Sequence, residues 1–207
     1  MKVLLINGSS KKGCTYTALE KVAESLNEEN IETEIVNLGA ESVRDCIGCK
    51  MCFKNGNNRC VFGDDIVNEI IAKAEECDGF IFGTPVYYAH PSGRVLSILD
   101  RVFYAGKKVF EFKPGASIAS ARRAGTTASF DVLNKYFTIS QMPIVSSTYW
   151  NNVHGNTPEE VKQDLEGMQT MYNLGKNMAW MLKCIESGKK NGINPPQNET
   201  TKTSFIR

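Results

Sequence analysis

Short, almost wholly apolar runs alternate along this chain with longer stretches whose apolar residues recur at helical spacing. Lys2–Asn7 carries the first run, Val3-Leu4-Leu5-Ile6, and breaks at Gly8; a helical segment follows from Tyr16 to about Glu29. Thr33–Leu38 alternates and is rich in β-branched residues, which predicts a second strand. Residues 39–63 are aperiodic and hold four glycines, so they read as a long loop. Ile66, Val67, Ile70, Ile71 and Ala74 then share one helical face, with Asp64-Asp65 standing where a cap belongs. Gly79–Thr84 is continuously apolar and stopped by Pro85, as in a strand buried on both faces. A helix is predicted over Arg94–Tyr104, a strand over Ala116–Ala121, a helix over Ser129–Phe137 and a fifth strand over Ile144–Ser147. Thr157-Pro158-Glu159-Glu160 has the capping threonine, first-turn proline and third-position glutamate of a helix start, and that helix is predicted to reach about Ile185.

Strands that alternate with helices and are apolar throughout imply a parallel sheet covered on both sides. The expected fold is a three-layer α/β sandwich, flavodoxin-like, with a five-stranded parallel sheet in the order 2-1-3-4-5. The competing dinucleotide fold calls for six strands and a glycine fingerprint that is missing here. One domain is expected over residues 1–187, with the insert loop 39–63 and a polar tail 188–207 containing Pro195-Pro196. Ligands of such a sheet bind beyond the carboxyl ends of its strands, where the first and third strands part.

Composition narrows the function classes. The 207 residues are 42% hydrophobic and 23% charged, with a formal charge of +1, so no broad basic field invites nucleic acid or an acidic membrane. No apolar run approaches the ~20 residues of a membrane span. Val3–Ile6 is too short for the apolar core of a signal peptide, and a cytoplasmic protein is expected. Seven cysteines, an odd number, argue against a full disulfide framework.

Three loops fall at the ligand end. The first follows the opening strand with Ser9, Ser10, Lys11, Gly13, Cys14 and Thr15, small and hydroxylic residues ahead of a helix N-terminus that would suit an anion; plain capping explains it as well. The second, Pro85-Val86-Tyr87-Tyr88, offers tyrosines on which a planar ligand could lie, or simply two half-buried rings. The third, Ala121-Arg122-Arg123-Ala124-Gly125, could hold a phosphate or form a solvated turn. Within the long loop, Cys46, Cys49, Cys52 and Cys60 are spaced C-x2-C-x2-C-x7-C. Three thiolates in one tight turn with a fourth closing the site suit an iron–sulfur cluster better than zinc, whose ligands usually come as two separated pairs; four unligated thiols are the remaining reading. Cys77 and Cys184 read as core thiols, and His90 as a residue that could line the site.

Taken together, these loops resemble the NAD(P)H-dependent FMN reductase branch of the flavodoxin superfamily over nearly the whole chain. The resemblance rests on Gly8-Ser9, Gly13-Cys14-Thr15, Thr84-Pro85-Val86-Tyr87, Pro91-Ser92-Gly93, Asp100-Arg101, Arg122-Arg123-Ala124-Gly125 and Tyr149-Trp150-Asn151. Within that branch the cysteine run followed by Asp64-Asp65 resembles the iron–sulfur flavoproteins. It implies FMN held by the three loops, a 4Fe–4S cluster on the four cysteines, and NAD(P)H as electron donor. It further implies a small-molecule electron acceptor, a ferredoxin-like redox protein as a possible partner, and a homodimer or homotetramer. A cluster-free reductase of FMN, quinones or azo compounds, and a non-catalytic electron carrier, are the alternatives. Three departures stand out: the phosphate loop is a residue short, lysine stands where arginine is common, and the seven-residue gap before Cys60 is long within the subgroup's range. Hydride transfer to a flavin needs no protein acid or base, so no catalytic side chain is assigned.

Overall fold

A computed structural model of the chain describes residues 1–203 and 205. In chain order its elements are β1 (Lys2–Asn7), α1 (Cys14–Glu28), β2 (Glu32–Asn37), α2 (Met51–Asn55), α3 (Val67–Glu75), β3 (Gly79–Tyr87) and β4 (His90–Pro91). They continue with α4 (Gly93–Phe110), β5 (Gly115–Ala121), α5 (Thr126–Thr138), β6 (Asn152–His154), α6 (Pro158–Gln163) and α7 (Leu165–Lys190).

Alternation along the central strands divides the core in two. Leu4, Ile6, Phe80 and Phe82 point to the face covered by α3, α4 and α5. Val3, Leu5 and Ile81 point to the opposite face, covered by α1, α6 and α7. Successive strand residues face opposite sides, so both faces of an apolar strand must be covered; this is the physical origin of the three layers. No helix among the described residues is long and apolar enough to cross a membrane.

The expected parallel α/β sheet is present, but not as five strands in the order 2-1-3-4-5. It has six, in the order β2-β1-β3-β5-β6, with β4 paired antiparallel to β3 off this path. The extra strand arises because β3 does not stop at Pro85 but continues to Tyr87, and Val86 and Tyr87 pair with Pro91 and His90. The Gly83 carbonyl faces the β1 side, where it accepts from the Gly8 amide at 2.8 Å. By alternation Pro85 also turns its nitrogen to that side, beyond the last β1 residue, so its missing N–H costs no ladder bond.

The predicted strand Ile144–Ser147 makes a single bridge, Gly115 to Ile144, and the last strand lies instead at Asn152–His154. Polar groups of α7 hold the intervening residues off the sheet. Asn177 donates to the Ser146 carbonyl at 2.8 Å, Ser147 donates to the Thr170 carbonyl at 2.6 Å, and Asn173 donates to Thr148 at 3.2 Å. The helix opened by Thr157 is capped as expected, its hydroxyl accepting from the Glu160 amide, but it ends after Gln163. Asp164 breaks it with ψ of 79° and caps α7 by accepting from the Gly167 amide at 2.9 Å. Asp164 also accepts from the backbone of His154 at 2.7 Å, so the break ties the two helices to the end of β6.

Candidate functional site

At the carboxyl ends of β1, β3 and β5 the three expected loops meet. Fully buried Asn7 organises the first: its Nδ2 donates to the Lys11 carbonyl at 3.2 Å and to Asn37 at 3.0 Å, and its Oδ1 accepts from the Ser9 amide at 3.3 Å. Ser92 joins the first loop to the second. Its hydroxyl donates to the Gly8 carbonyl at 3.0 Å, while its amide donates to Thr84 Oγ1 at 3.0 Å. Gly125, at φ +88°, is pressed against the second loop; a Cβ there would lie 2.8 Å from a Val86 methyl.

No side chain caps α1 at Gly13. Its first-turn N–H groups have no intrahelical acceptor and, with the positive end of the helix dipole, favour an anion. Ser9 is buried and its Oγ accepts from the Lys11 amide at 3.4 Å, whereas Ser10, Lys11 and Lys12 are exposed. Lys12 lies over the Tyr16 ring at 5.0 Å, whereas the Lys11 ammonium is in no ion pair or ring contact among the described residues. The Thr15 hydroxyl is turned inward, sharing a 2.7 Å hydrogen bond with Ser120, so only its amide faces the loop. Cys14 donates to the Gly155 carbonyl at 3.6 Å, and burial pushes its thiol above the ordinary range, so the helix terminus does not make it a thiolate.

The two tyrosines differ: Tyr87 is 49% exposed, whereas Tyr88 is not half-buried but stands fully in solvent at the hairpin tip, at φ +64°. His90 is exposed, its Nδ1 2.9 Å from the Pro91 carbonyl. Arg122 and Arg123 are exposed and in no ion pair among the described residues, and Ala121 closes β5 beneath them. Tyr149 and Trp150 form an exposed aromatic pair, 5.3 Å between centroids.

The four cysteines line one cavity of about 270 Å³ together with Ile47, Phe53, Phe62, Arg101 and Tyr104. They surround it without converging: among the described residues no three His, Cys, Asp or Glu side chains are grouped to hold a single metal ion. The long loop is not uniformly irregular, for α2 lies between Cys49 and Cys60, entered at Lys50 and left at Gly56, both left-handed. Asp64 and Asp65 do not act together as a cap. Asp64 pairs with Arg44 at 2.6 Å in solvent, while Asp65 accepts from the Val67 amide at 3.1 Å and pairs with Arg101.

Arg101 is the principal residue that motif reading passed over, noted there only as part of a resemblance. Its side chain is 1% exposed, and it donates to Cys60 Sγ at 3.4 Å, to the Arg44 carbonyl at 3.2 Å and to the Phe62 carbonyl at 3.3 Å. Asn68 holds the Cys60 backbone from the other side, its Oδ1 accepting from the amide at 2.8 Å and its Nδ2 donating to the carbonyl at 2.9 Å. The available signal was a charge three residues after buried Ile98 and just before buried Val102, on the face where an amphipathic helix carries apolar residues.

The other cysteines separate clearly. Cys77 is 2% exposed, and burial raises its thiol to about 11. Cys184, expected in the core, is exposed on the outer side of α7. Iodoacetamide applied to the native, unloaded chain at mildly alkaline pH should label Cys184 and Cys49 and spare Cys77, as read by peptide mass spectrometry. Rapid labelling of Cys77 would show that the edge of the core opens readily.

Residues 1–157 match the model of the NADPH-dependent FMN reductase family. An iron-sulfur flavoprotein of Methanocaldococcus jannaschii is 32% identical over 195 residues, spanning 90% of this chain and 100% of that protein. An iron-sulfur flavoprotein of Archaeoglobus fulgidus is 37% identical over 101 residues, 49% of this chain and 48% of its own. Among solved structures, a flavone reductase superposes with a TM-score of 0.68 at 18% identity, covering 90% of this chain and 64% of that one. A WrbA-like flavodoxin from Agrobacterium tumefaciens gives 0.63 at 16% identity, covering 88% and 97%. These distant likenesses establish the flavodoxin-like fold.

Proposed function

Since the chain belongs to the NADPH-dependent FMN reductase family, with relatives named iron-sulfur flavoproteins, we propose that this flavin-dependent oxidoreductase pairs FMN with a 4Fe–4S cluster held by Cys46, Cys49, Cys52 and Cys60. Its electrons would come from NAD(P)H or a ferredoxin-like protein and go to a small-molecule acceptor, in a homodimer or homotetramer. When bound, FMN exchanges electrons in pairs or singly, and such a cluster carries one at a time.

The chain's own part is to hold and shield. The uncapped amides of α1, with Ser10 and Lys11, would take the FMN phosphate, while Asn7 and Ser92 keep that loop in shape. Backbone groups of Val86–Tyr88 would meet the edge of the flavin ring, with Tyr87 and Tyr88 over it. Arg122 and Arg123 are free to take a phosphate of the pyridine nucleotide. No side chain is asked to move a proton.

The observation that carries the cluster reading is the single cavity lined by all four cysteines. Three thiolates in one tight turn with a fourth closing the site suit such a cluster better than zinc, whose ligands usually come as two separated pairs.

Anaerobic purification should give a protein with flavin absorbance that contains iron and sulfide in matching amounts and no zinc. Cys60→Ser should lose the iron and sulfide and keep the flavin. The wild-type chain should consume NAD(P)H steadily with an artificial acceptor, which a mere electron carrier would not do. The matching family model speaks of FMN reduction and not of a cluster, so a cluster-free reductase is the second reading. Full flavin content and turnover without iron would establish that reading and end the first.

A further inference from the structure

The loop that bears the cysteines is fastened to α4 along one face. Arg94 donates to the carbonyls of Gly39 at 2.6 Å and Ala40 at 3.0 Å, Ser97 donates to Asp45, and Arg101 donates to Arg44, Cys60 and Phe62. These three residues are spaced by three and four positions, so they form one stripe of the helix. The Phe62 ring is near two guanidinium groups, 4.5 Å from that of Arg44 and 5.6 Å from that of Arg101. Of the four thiols, Cys60 alone is hydrogen-bonded by another side chain among the described residues, and it is pinned at amide, carbonyl and sulfur. A guanidinium as buried as that of Arg101 is costly to desolvate, and its carboxylate partner Asp65 accounts for only part of its bonding.

We propose that Arg101 is the positioning residue of the cysteine quartet: it sets Cys60 at the cavity wall and presents a fixed positive charge to the Cys60 sulfur, favouring the reduced state of the group bound there. This rests on the reading that the quartet holds an iron–sulfur cluster. Hydrogen bonds to the ligating sulfurs and nearby net charge are the terms by which a protein sets a cluster's potential. Reduction adds negative charge, so a cation against a ligand sulfur raises the potential and its removal lowers it.

The test compares the wild-type chain with Arg101→Lys, Arg101→Gln and the double variant Asp65→Asn/Arg101→Gln. Each is loaded anaerobically with iron and sulfide and titrated potentiometrically, with electron paramagnetic resonance as the readout. Arg101→Gln should shift the cluster toward the oxidised form by about tenfold, 59 mV for one electron. Arg101→Lys, which keeps the charge, should recover most of that shift. If Arg101→Gln fails to fold, the double variant decides, because it leaves no buried charge unpaired. It should shift in the same direction, since the guanidinium is the member of the pair bonded to the sulfur. Fully loaded variants with the wild-type potential would overturn the proposal and leave Arg101 a structural ion pair. A wild-type chain that takes up flavin but neither iron nor sulfide removes the cluster reading beneath it, a visibly different result.

Discussion

Asp65→Ala should lower the unfolding free energy by about 3–5 kcal/mol, because it leaves a buried guanidinium without its counter-ion. The Arg101 and Asp65 side chains are 1% and 9% exposed, so water does not screen the loss. The carbonyls of Arg44 and Phe62, at 3.2 and 3.3 Å, remain as acceptors but carry no net charge. The neighbouring Arg44–Asp64 pair supplies the control. Its side chains are 49% and 61% exposed, and Asp64→Ala should cost no more than about 1 kcal/mol. Urea unfolding of both variants measures the contrast. Equal losses would mean that Arg101 reaches solvent when its partner is removed, and the description of the cysteine loop as anchored on a buried charge would have to be abandoned.

Gly8→Ala should damage both stability and flavin retention. A Cβ at Gly8 would lie 2.6 Å from the Gly83 carbonyl oxygen and 3.1 Å from Val95. The nearer obstacle is backbone in the middle of the sheet and cannot rotate away. Relief requires parting β1 from β3 where Gly8 donates to Gly83 at 2.8 Å, and overpacking of this kind costs about 1–3 kcal/mol. The same movement displaces the start of the loop proposed to hold the phosphate. Flavin affinity should therefore fall by about tenfold or more, each tenfold corresponding to ~1.4 kcal/mol. Gly93→Ala is the matched control: nothing lies within 4 Å of its added methyl, and alanine favours a helix more than glycine does. Calorimetry with added FMN would separate the two variants, and a Gly8→Ala chain that binds flavin like the wild type would remove this loop from the proposed cradle.

Much of the fold could be read from local pattern. The runs over Lys2–Asn7 and Ala116–Ala121 are strands within a residue or so of their expected limits, since continuous apolarity reports burial on both faces and needs no knowledge of neighbours. The misread elements share another cause. Ile144–Ser147 has strand-like residues, but Asn177 and Thr170 claim its polar groups from a helix more than twenty residues further on. The helix expected to run unbroken to Ile185 stops at Asp164, whose second oxygen serves His154 on β6. At Pro85 the cost of a missing N–H depends on which neighbouring strand has already ended.

The sequence by itself determined the layered α/β architecture, the loops at its ligand end and the fourfold cysteine spacing, because periodicity and spacing are local properties. Only the tertiary structure decided what those loops hold fast to. It turned Thr15 inward to Ser120, laid Lys12 over the Tyr16 ring, and brought Arg101 of α4 against Cys60, 41 residues away in the chain. A buried polar group must find its partner wherever the fold provides one, and that pairing leaves no periodic trace in the chain.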